Sequence, residues 1–376
     1  MKIGILTHPL GVNYGGILQA YALQTILERM GHEVVVFDRC RYRHIPIWRF
    51  PLVIIKRCIK KYILKQNILV FLEKYYNKAY PIISNNIQSF VDCKVNRYEV
   101  SRLKKLAKKQ YDCIIVGSDQ VWRPMYFNDI ADSYLNFAKK WNIKRISYAA
   151  SFGTEDWEYT KKQTKICAKL AQKFDFISVR EDSGIELCEK FLGVHAVRLV
   201  DPTLLLEIND YKLLFKSDRK GNNGCIITYI LDSNEEKNNI IKNVSDYLSL
   251  TYHNLMPSHN FLEEKNINNL EKCTYIPIET WLKYIYEASY VITDSYHGTV
   301  FSIIFNKPFI TIANKERGLS RFLSLLKTFG LENRLIYSSD DINYSLLETP
   351  INYSQINTIK LEEKEKALNY LKQLLL

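Results

Sequence analysis

Short β-rich runs alternate with stretches of helical period along the chain. KIGILTH, from Lys2, reads as a strand. In GILQAYALQTILERMG after it, Leu18, Ala22, Leu23, Ile26 and Leu27 recur at helical spacing, and Gly31 closes the helix. HEVVVFDR is the next strand, and between Arg41 and Lys109 the pattern turns mostly helical. YDCIIVGSD, KRISYAASFG and FDFISVRED are further strands, and VHAVRLVDPTLLL reads as the exit from a first domain, punctuated by Asp201-Pro202. The second half restarts with GCIITYIL. A helix near Glu236 to Leu250, another through Trp281 to Ala288, the strands YVITDS and KPFITIA, and a terminal helix follow. Strands separated by helices predict right-handed parallel crossovers, hence an α/β protein with two doubly wound sheets. The predicted domains are 1–200, with a helical insertion over 41–109, and 201–376, ending in a helix over 360–376. Ligands of such sheets bind in the crevice at the carboxyl ends of the strands.

Charge changes this picture in one place. The formal net charge is +12, but Arg39 to Lys109 alone carries 18 Lys/Arg against 3 Asp/Glu, so the basic excess is a lobe. There WRFPLVIIKRCIKKYILKQNILVFL mixes aromatic, aliphatic and basic residues, as helices lying on anionic headgroups do, although a solvated helical face has the same composition. No nucleic-acid motif accompanies the charge, so nucleic acid is not an expected partner. No apolar run is long enough to span a membrane, and Gly4, His8 and Pro9 interrupt the opening MKIGILTHPL, which reads as a strand instead of a signal. The eight cysteines are scattered without a CxxC pair, which fits reduced thiols in a cytoplasmic protein better than a disulfide framework or a zinc site.

Candidate chemistry gathers at the predicted strand ends. THPLGVNYGGILQA places Gly11, Gly15 and Gly16 between the first strand and helix, where backbone amides can approach an anion or a sugar, and where a tight turn needs glycine in any case. It is not GxGxxG, and Asp38 alone keeps a dinucleotide reading open. GSDQVWRP puts Asp119, Gln120 and Trp122 after a strand: a carboxylate to bind or deprotonate a hydroxyl, and an indole to stack on a ring. The same residues also suit a helix cap and a buried tryptophan. Arg180 in FISVRED ends another strand, where its guanidinium can grip phosphate or carboxylate, or pair with Glu181 or Asp182. In TDSYHGTVFSIIF a helix starts near Gly298, so His297 falls at a helix N-terminus, where the dipole attracts anions.

NYGGILQAYALQ, GSDQVW, SYAASFG, ISVRED, DPTLLL and TDSYHGTVFSIIFNKPF, in that order, resemble the polysaccharide pyruvyltransferase family over roughly Ile3 to Arg334. The resemblance implies two Rossmann-like domains facing a cleft, as in GT-B glycosyltransferases. It further implies transfer of a pyruvyl group from phosphoenolpyruvate, as donor substrate with no separate cofactor and no metal, to a sugar of a cell-surface polysaccharide precursor, as a ketal. On this reading His297 is the general acid and Asp119 the acceptor base. Arg180, Ser295, Tyr296 and Gly298 hold the donor. Asn13, Tyr14, Gly15, Gly16, Asp119, Gln120 and Trp122 face the acceptor, a lipid-linked oligosaccharide at the inner membrane surface. Two departures stand out. Ser295 and Tyr296 occupy positions where many members carry Arg and Leu, with Arg317 or Arg321 as candidate replacements for the lost charge, and Gly16 stands where an Asp is common. The rival readings are a nucleotide-sugar glycosyltransferase of the same architecture and a non-catalytic basic protein binding membrane or nucleic acid.

Overall fold

The computed structural model describes residues 1–39, 45–107, 110–127, 129–215, 224–314 and 318–376. Seven parallel strands form the first sheet: β1 (Lys2–Leu6), β2 (Glu33–Arg39), β3 (Arg97–Val100), β4 (Cys113–Val116), β5 (Lys144–Ala150), β6 (Phe176–Val179) and β7 (Val197–Arg198). Their order is β3-β2-β1-β4-β5-β6-β7. Five strands form the second: β8 (Cys225–Tyr229), β9 (Thr251–Asn254), β10 (Tyr290–Thr293), β11 (Phe309–Ile312) and β12 (Leu335–Ile336), ordered β12-β11-β10-β8-β9 and again all parallel. The helices are α1 (Tyr14–Arg29), α2 (Phe50–Cys58), α3 (Leu72–Lys94), α4 (Lys161–Ala171), α5 (Asp182–Leu187), α6 (Ile208–Lys212) and α7 (Glu235–Leu248). They continue with α8 (Phe261–Glu264), α9 (Ile278–Glu287), α10 (Tyr296–Ile304), α11 (Ser320–Phe329), α12 (Tyr344–Glu348) and α13 (Tyr353–Leu375). The two Rossmann-like domains that the sequence implies are present.

Helices cover both faces of each sheet, so the central strands are apolar throughout: every residue of β4 and of β10 is buried. Three strands lie outside the sequence prediction. β3 (RYEV) and β9 (TYHN) are edge strands without an apolar run, and β12 is two residues long; hydrogen bonding to a neighbour, not hydrophobic pattern, defines them. The terminal helix starts at Tyr353, capped by Asn352, seven residues before its predicted start. It returns to the first sheet, where Tyr370 packs on Phe176 at 5.0 Å and Glu363 pairs with Arg198 at 3.1 Å.

Each sheet reverses its winding once, between β1 and β4 in the first and between β8 and β10 in the second. Loops leaving these four strands therefore diverge and open a crevice. One apolar cluster runs through both domains beneath it, joining Leu18 and Leu23 of α1 to Trp281, Phe301, Phe322 and Leu371. Tyr14 is part of this joint and not an acceptor contact. It is fully buried, stacks on Trp281 at 5.3 Å, and donates a 2.8 Å hydrogen bond to the Ile276 carbonyl. Phe301 and Tyr229 close on the same indole edge-on at 5.3 and 5.2 Å.

Because this core is shared, the domains should unfold together. Trp281→Ala should cost about 3–5 kcal/mol, a large part of the ~5–15 kcal/mol by which domains are stable. Urea denaturation followed by circular dichroism should show one transition moved as a whole to lower urea. A split into two transitions, with only the later one displaced, would mean that the domains fold independently.

Candidate active site

The crevice narrows to a cavity of ≈ 220 Å³ between the two switch points. From the first domain, the loops after β1 and β4 supply His8, Asn13, Asp119, Gln120 and Tyr126. From the second, the loop after β8 supplies Leu231, the β10–α10 turn supplies Asp294 and Ser295, the first turn of α10 supplies Tyr296 and His297, and α11 supplies Arg321. Of the residues the sequence singles out, the structure thus brings together Asn13, Asp119, Gln120, Ser295, Tyr296, His297 and Arg321. Arg317 lies outside the described residues.

Beneath the cavity, one fully buried carboxylate ties the domains together. Asp201 opens the segment leaving the first sheet, where its Oδ1 caps a turn by accepting from the Thr203 amide (3.1 Å) and hydroxyl (2.8 Å). Its Oδ2 accepts from Arg180 Nη1 at 2.8 Å and from Ser118 Oγ at 3.2 Å, and lies 3.5 Å from His297 Nε2. Burial alone would raise this carboxyl's pKa; His297 and Arg180 beside it hold it well below the usual range instead. His297 is further confined by α1, since a Cβ on Gly15 would sit 2.0 Å from its Nδ1. Gly15 is therefore clearance for the imidazole, not an amide cradle, and Gly16 donates its N–H to the Asn13 cap at 3.2 Å.

Arg180 does not reach the cavity as a free donor grip. It is buried, bonded to Asp201, 3.4 Å from Asp119 Oδ1, and covered by the Tyr296 ring at 4.2 Å. Its ion-pair partners are Asp201 and Asp119, not the neighbouring Glu181 or Asp182; Glu181 instead accepts from Ser151 Oγ and the Phe152 and Gly153 amides. Arg321 flanks the same Tyr296 ring at 5.5 Å and does line the cavity. Burial, then repulsion from Arg180, pulls its pKa down to about 10.

Asp119 adopts left-handed backbone (φ 72) and spends its oxygens on the Gln120 amide (2.9 Å), Arg180 and Asn13 Nδ2 (3.5 Å). Burial opposes its ionisation, but the charges of Arg180, His8 and His297 hold its carboxyl at about 2. Trp122 is no sugar platform: it is wholly buried, stacked on Tyr134 at 4.8 Å with its Nε1 donating to the Ser133 carbonyl. Nor does Asp38 await a ribose, since it accepts from the Leu10 amide at 3.0 Å and pairs with Arg97 at 2.9 Å. In the β10–α10 turn, Asp294 accepts from the Leu231 and Asp232 amides and from Lys237 Nζ at 2.7 Å, which fixes the β8 loop. Ser295 caps α10 by accepting from the Gly298 amide, and Gly298 is small because a Cβ there would meet Thr293 Oγ1 at 2.2 Å. Sequence reasoning missed Asp201, His8 and Tyr126. The first reads as domain punctuation and the other two as loop residues; only the topology places them at one switch point.

The family model for polysaccharide pyruvyl transferase matches residues 13–316, and the chain belongs to that family. No curated protein matches it in sequence. Among solved structures, that of Arabidopsis thaliana UGT89C1 complexed with UDP-L-rhamnose superposes with a TM-score of 0.51 at 10% identity, covering 100% of this chain and 99% of that one. The S. aureus MnaA–UDP co-structure gives 0.51 at 11% identity, covering 100% and 96%. At such identities the likeness establishes the fold, a GT-B arrangement of two parallel-sheet domains.

Asp201→Asn should leave Arg180 and His297 without their shared counter-charge and destabilise the protein by about 3–5 kcal/mol. Asp201 and Asp119 both have pKa values depressed below the ~3.9 of free aspartate. Their contribution is complete above that pH and is lost as pH falls toward the folded values. Urea midpoints measured between about pH 5 and about pH 3 should therefore fall less steeply in Asp201→Asn than in the wild type. Parallel slopes would show that Asp201 carries no linked proton.

Proposed function

We propose that the protein transfers the pyruvyl group of phosphoenolpyruvate to a pair of hydroxyls on a sugar of a polysaccharide precursor, closing a pyruvate ketal. The observation that carries this reading is the small cavity in which His297, at the N-terminus of α10, stands near Arg321. Its ≈ 220 Å³ suits a three-carbon phosphate better than a nucleotide sugar, since drug-sized ligands occupy about 300–1,000 Å³. Arg321 supplies the cation that the Ser295 position lacks, and the first turn of α10 offers the Tyr296 and His297 backbone N–H groups to the donor's oxygens. His297 protonates the methylene carbon of phosphoenolpyruvate as C2 gains oxocarbenium character. A sugar hydroxyl attacks C2, phosphate leaves, and a second hydroxyl closes the ketal. Arg180 acts from behind Tyr296, holding Asp201 and Asp119 in place. Asn13 and Gln120 form the acceptor wall.

Thermal-shift titration separates this reading from a nucleotide-sugar transferase. Phosphoenolpyruvate at about a hundred times its dissociation constant should add about 2.7 kcal/mol, and UDP-glucose should add nothing. Arg321→Ala should abolish the phosphoenolpyruvate shift. His297→Ala should keep it yet lose about a hundredfold or more in turnover. Stabilisation by UDP-glucose alone would transfer the site to the rival activity.

The basic lobe gives the same reading a place to work. No residue of α2 or of the π-helical turn Ile59–Ile63 is buried, and Ile47 (92%), Trp48 (70%), Leu52 (69%) and Ile63 (71%) stand exposed beside Lys56, Lys60 and Lys61. Among the described residues no helix is long and apolar enough to cross a membrane. An apolar surface ringed by lysines suits an anionic bilayer, which attracts each Lys or Arg by about 1 kcal/mol within a Debye length of ~8–10 Å. The acceptor is then a lipid-linked glycan met at the inner face of the membrane. Lys56, Lys60 and Lys61 changed together to Glu should abolish salt-sensitive co-sedimentation with phosphatidylserine vesicles and leave the phosphoenolpyruvate shift intact. Arg57 is spared because it holds Glu73 at 2.6 Å. Equal pelleting of variant and wild type would reduce the lobe to a solvated face.

A further inference from the structure

The sequence offers Asp119 as the base for the acceptor hydroxyl, and the geometry around it rules against that role. Its carboxylate is shared among Arg180, Asn13 and the Gln120 amide and is held at about 2. Proton transfer is efficient when the base's pKa lies near the working pH, and a carboxylate so strongly stabilised is a poor proton acceptor. The same wall carries a second titratable group. His8, in the loop leaving β1, lines the cavity together with His297 and Arg321. Its ring is held in place by Tyr126, edge-on at 5.6 Å, and by Phe127 at 5.5 Å. The Gln120 backbone beside the ring favours its protonated form, and a neutral imidazole keeps one nitrogen with a lone pair to accept a proton.

We propose that His8 is the general base that takes the proton of the attacking sugar hydroxyl, with Asp119 held beside it to stabilise the imidazolium. This rests on the pyruvyl-transfer reading above. In the first step the hydroxyl O–H bond breaks, its proton goes to His8, and an O–C2 bond forms. Meanwhile the donor's C2–C3 π electrons take a proton from His297. In the second step the C2–O bond to phosphate breaks, and the proton held by His8 leaves with the phosphate. The second hydroxyl then bonds to C2 and returns its proton to His297. Both histidines are restored, and two hydroxyl protons account for the new methyl hydrogen and the protonated phosphate. His8 is suited to this cycle because burial favours its neutral form. Asp119 of the β4 loop opposes that effect, while Arg39 at the end of β2 and Arg180 at the end of β6 reinforce it.

The test compares wild type with His8→Gln, His8→Ala and Asp119→Asn, using phosphoenolpyruvate and the methyl pyranosides of glucose, galactose and mannose, and following phosphate release. Both His8 variants should lose about a hundredfold or more in kcat while keeping the wild-type KM and thermal shift for phosphoenolpyruvate. A neutral base gives kcat an acid limb, which should vanish in His8→Gln. In Asp119→Asn the limb should persist and move to lower pH, because the carboxylate raises the His8 pKa. Wild-type kcat in His8→Gln, or an acid limb that survives there and disappears in Asp119→Asn, overturns the assignment of the base and leaves pyruvyl transfer standing. A wild type that releases no phosphate with any of the three glycosides overturns pyruvyl transfer itself, and the base with it.

Discussion

A single carboxylate organises this molecule's centre. Asp201 lies where the chain leaves the first sheet, and its two oxygens do different work. One caps the turn that starts the passage to the second domain, and the other meets Arg180 from β6 and faces His297 from α10. An unpaired buried carboxylate is strongly disfavoured; Arg180 of the first domain pairs with this one at 2.8 Å, and His297 Nε2 of the second lies 3.5 Å away. The domain interface and the candidate site are thus specified by the same contact. The shared apolar core joins the two domains, and Asp201 sits where the arginine of one domain meets the histidine of the other.

Much of the architecture was legible because parallel strands buried on both faces must be written as continuous apolar runs. YDCIIV and YVIT announce β4 and β10 in this way, and α1 is equally plain from its period. The edge strands β3 and β9 were not legible, since their order comes from a neighbour's backbone. The site divides along a similar line. His297, Asp119, Ser295 and Arg321 stood out as polar residues at strand or helix ends, and topology gathers them. Trp122 and Tyr14 misled because an aromatic residue after a strand is equally at home in a core, and only three-dimensional packing shows which applies. Arg180 was recognised as important, but its partners come from the β4 loop and the inter-domain segment, which no local pattern connects to it.

Tyr296 gives the departure from the pattern that the family resemblance implies a physical form. Its ring lies over Arg180 at 4.2 Å and beside Arg321 at 5.5 Å. An aromatic face attracts each cation and separates them. Arg180 is held with its two carboxylates, and Arg321 lines the cavity wall. The resemblance implies an arginine at position 295; Ser295 stands there, and Arg321 of α11 lines the cavity from a different element.

The electrostatics of that pair also bear on donor affinity. Arg180 is neutralised by Asp201 and Asp119, whereas Arg321 is pulled down to about 10 by burial and by Arg180 itself. An anion arriving at the cavity wall would offset part of the desolvation and of the repulsion from Arg180 that Arg321 bears. On the pyruvyl-transfer reading, a donor bearing phosphate and carboxylate meets Arg321 at this wall, while Arg180 stays behind the Tyr296 ring. On the pyruvyl-transfer reading, departure of phosphate would restore the repulsion between the two arginines. A pair that favours entry of a donor carrying both phosphate and carboxylate charge would then do less to retain a ketal product that carries the carboxylate alone.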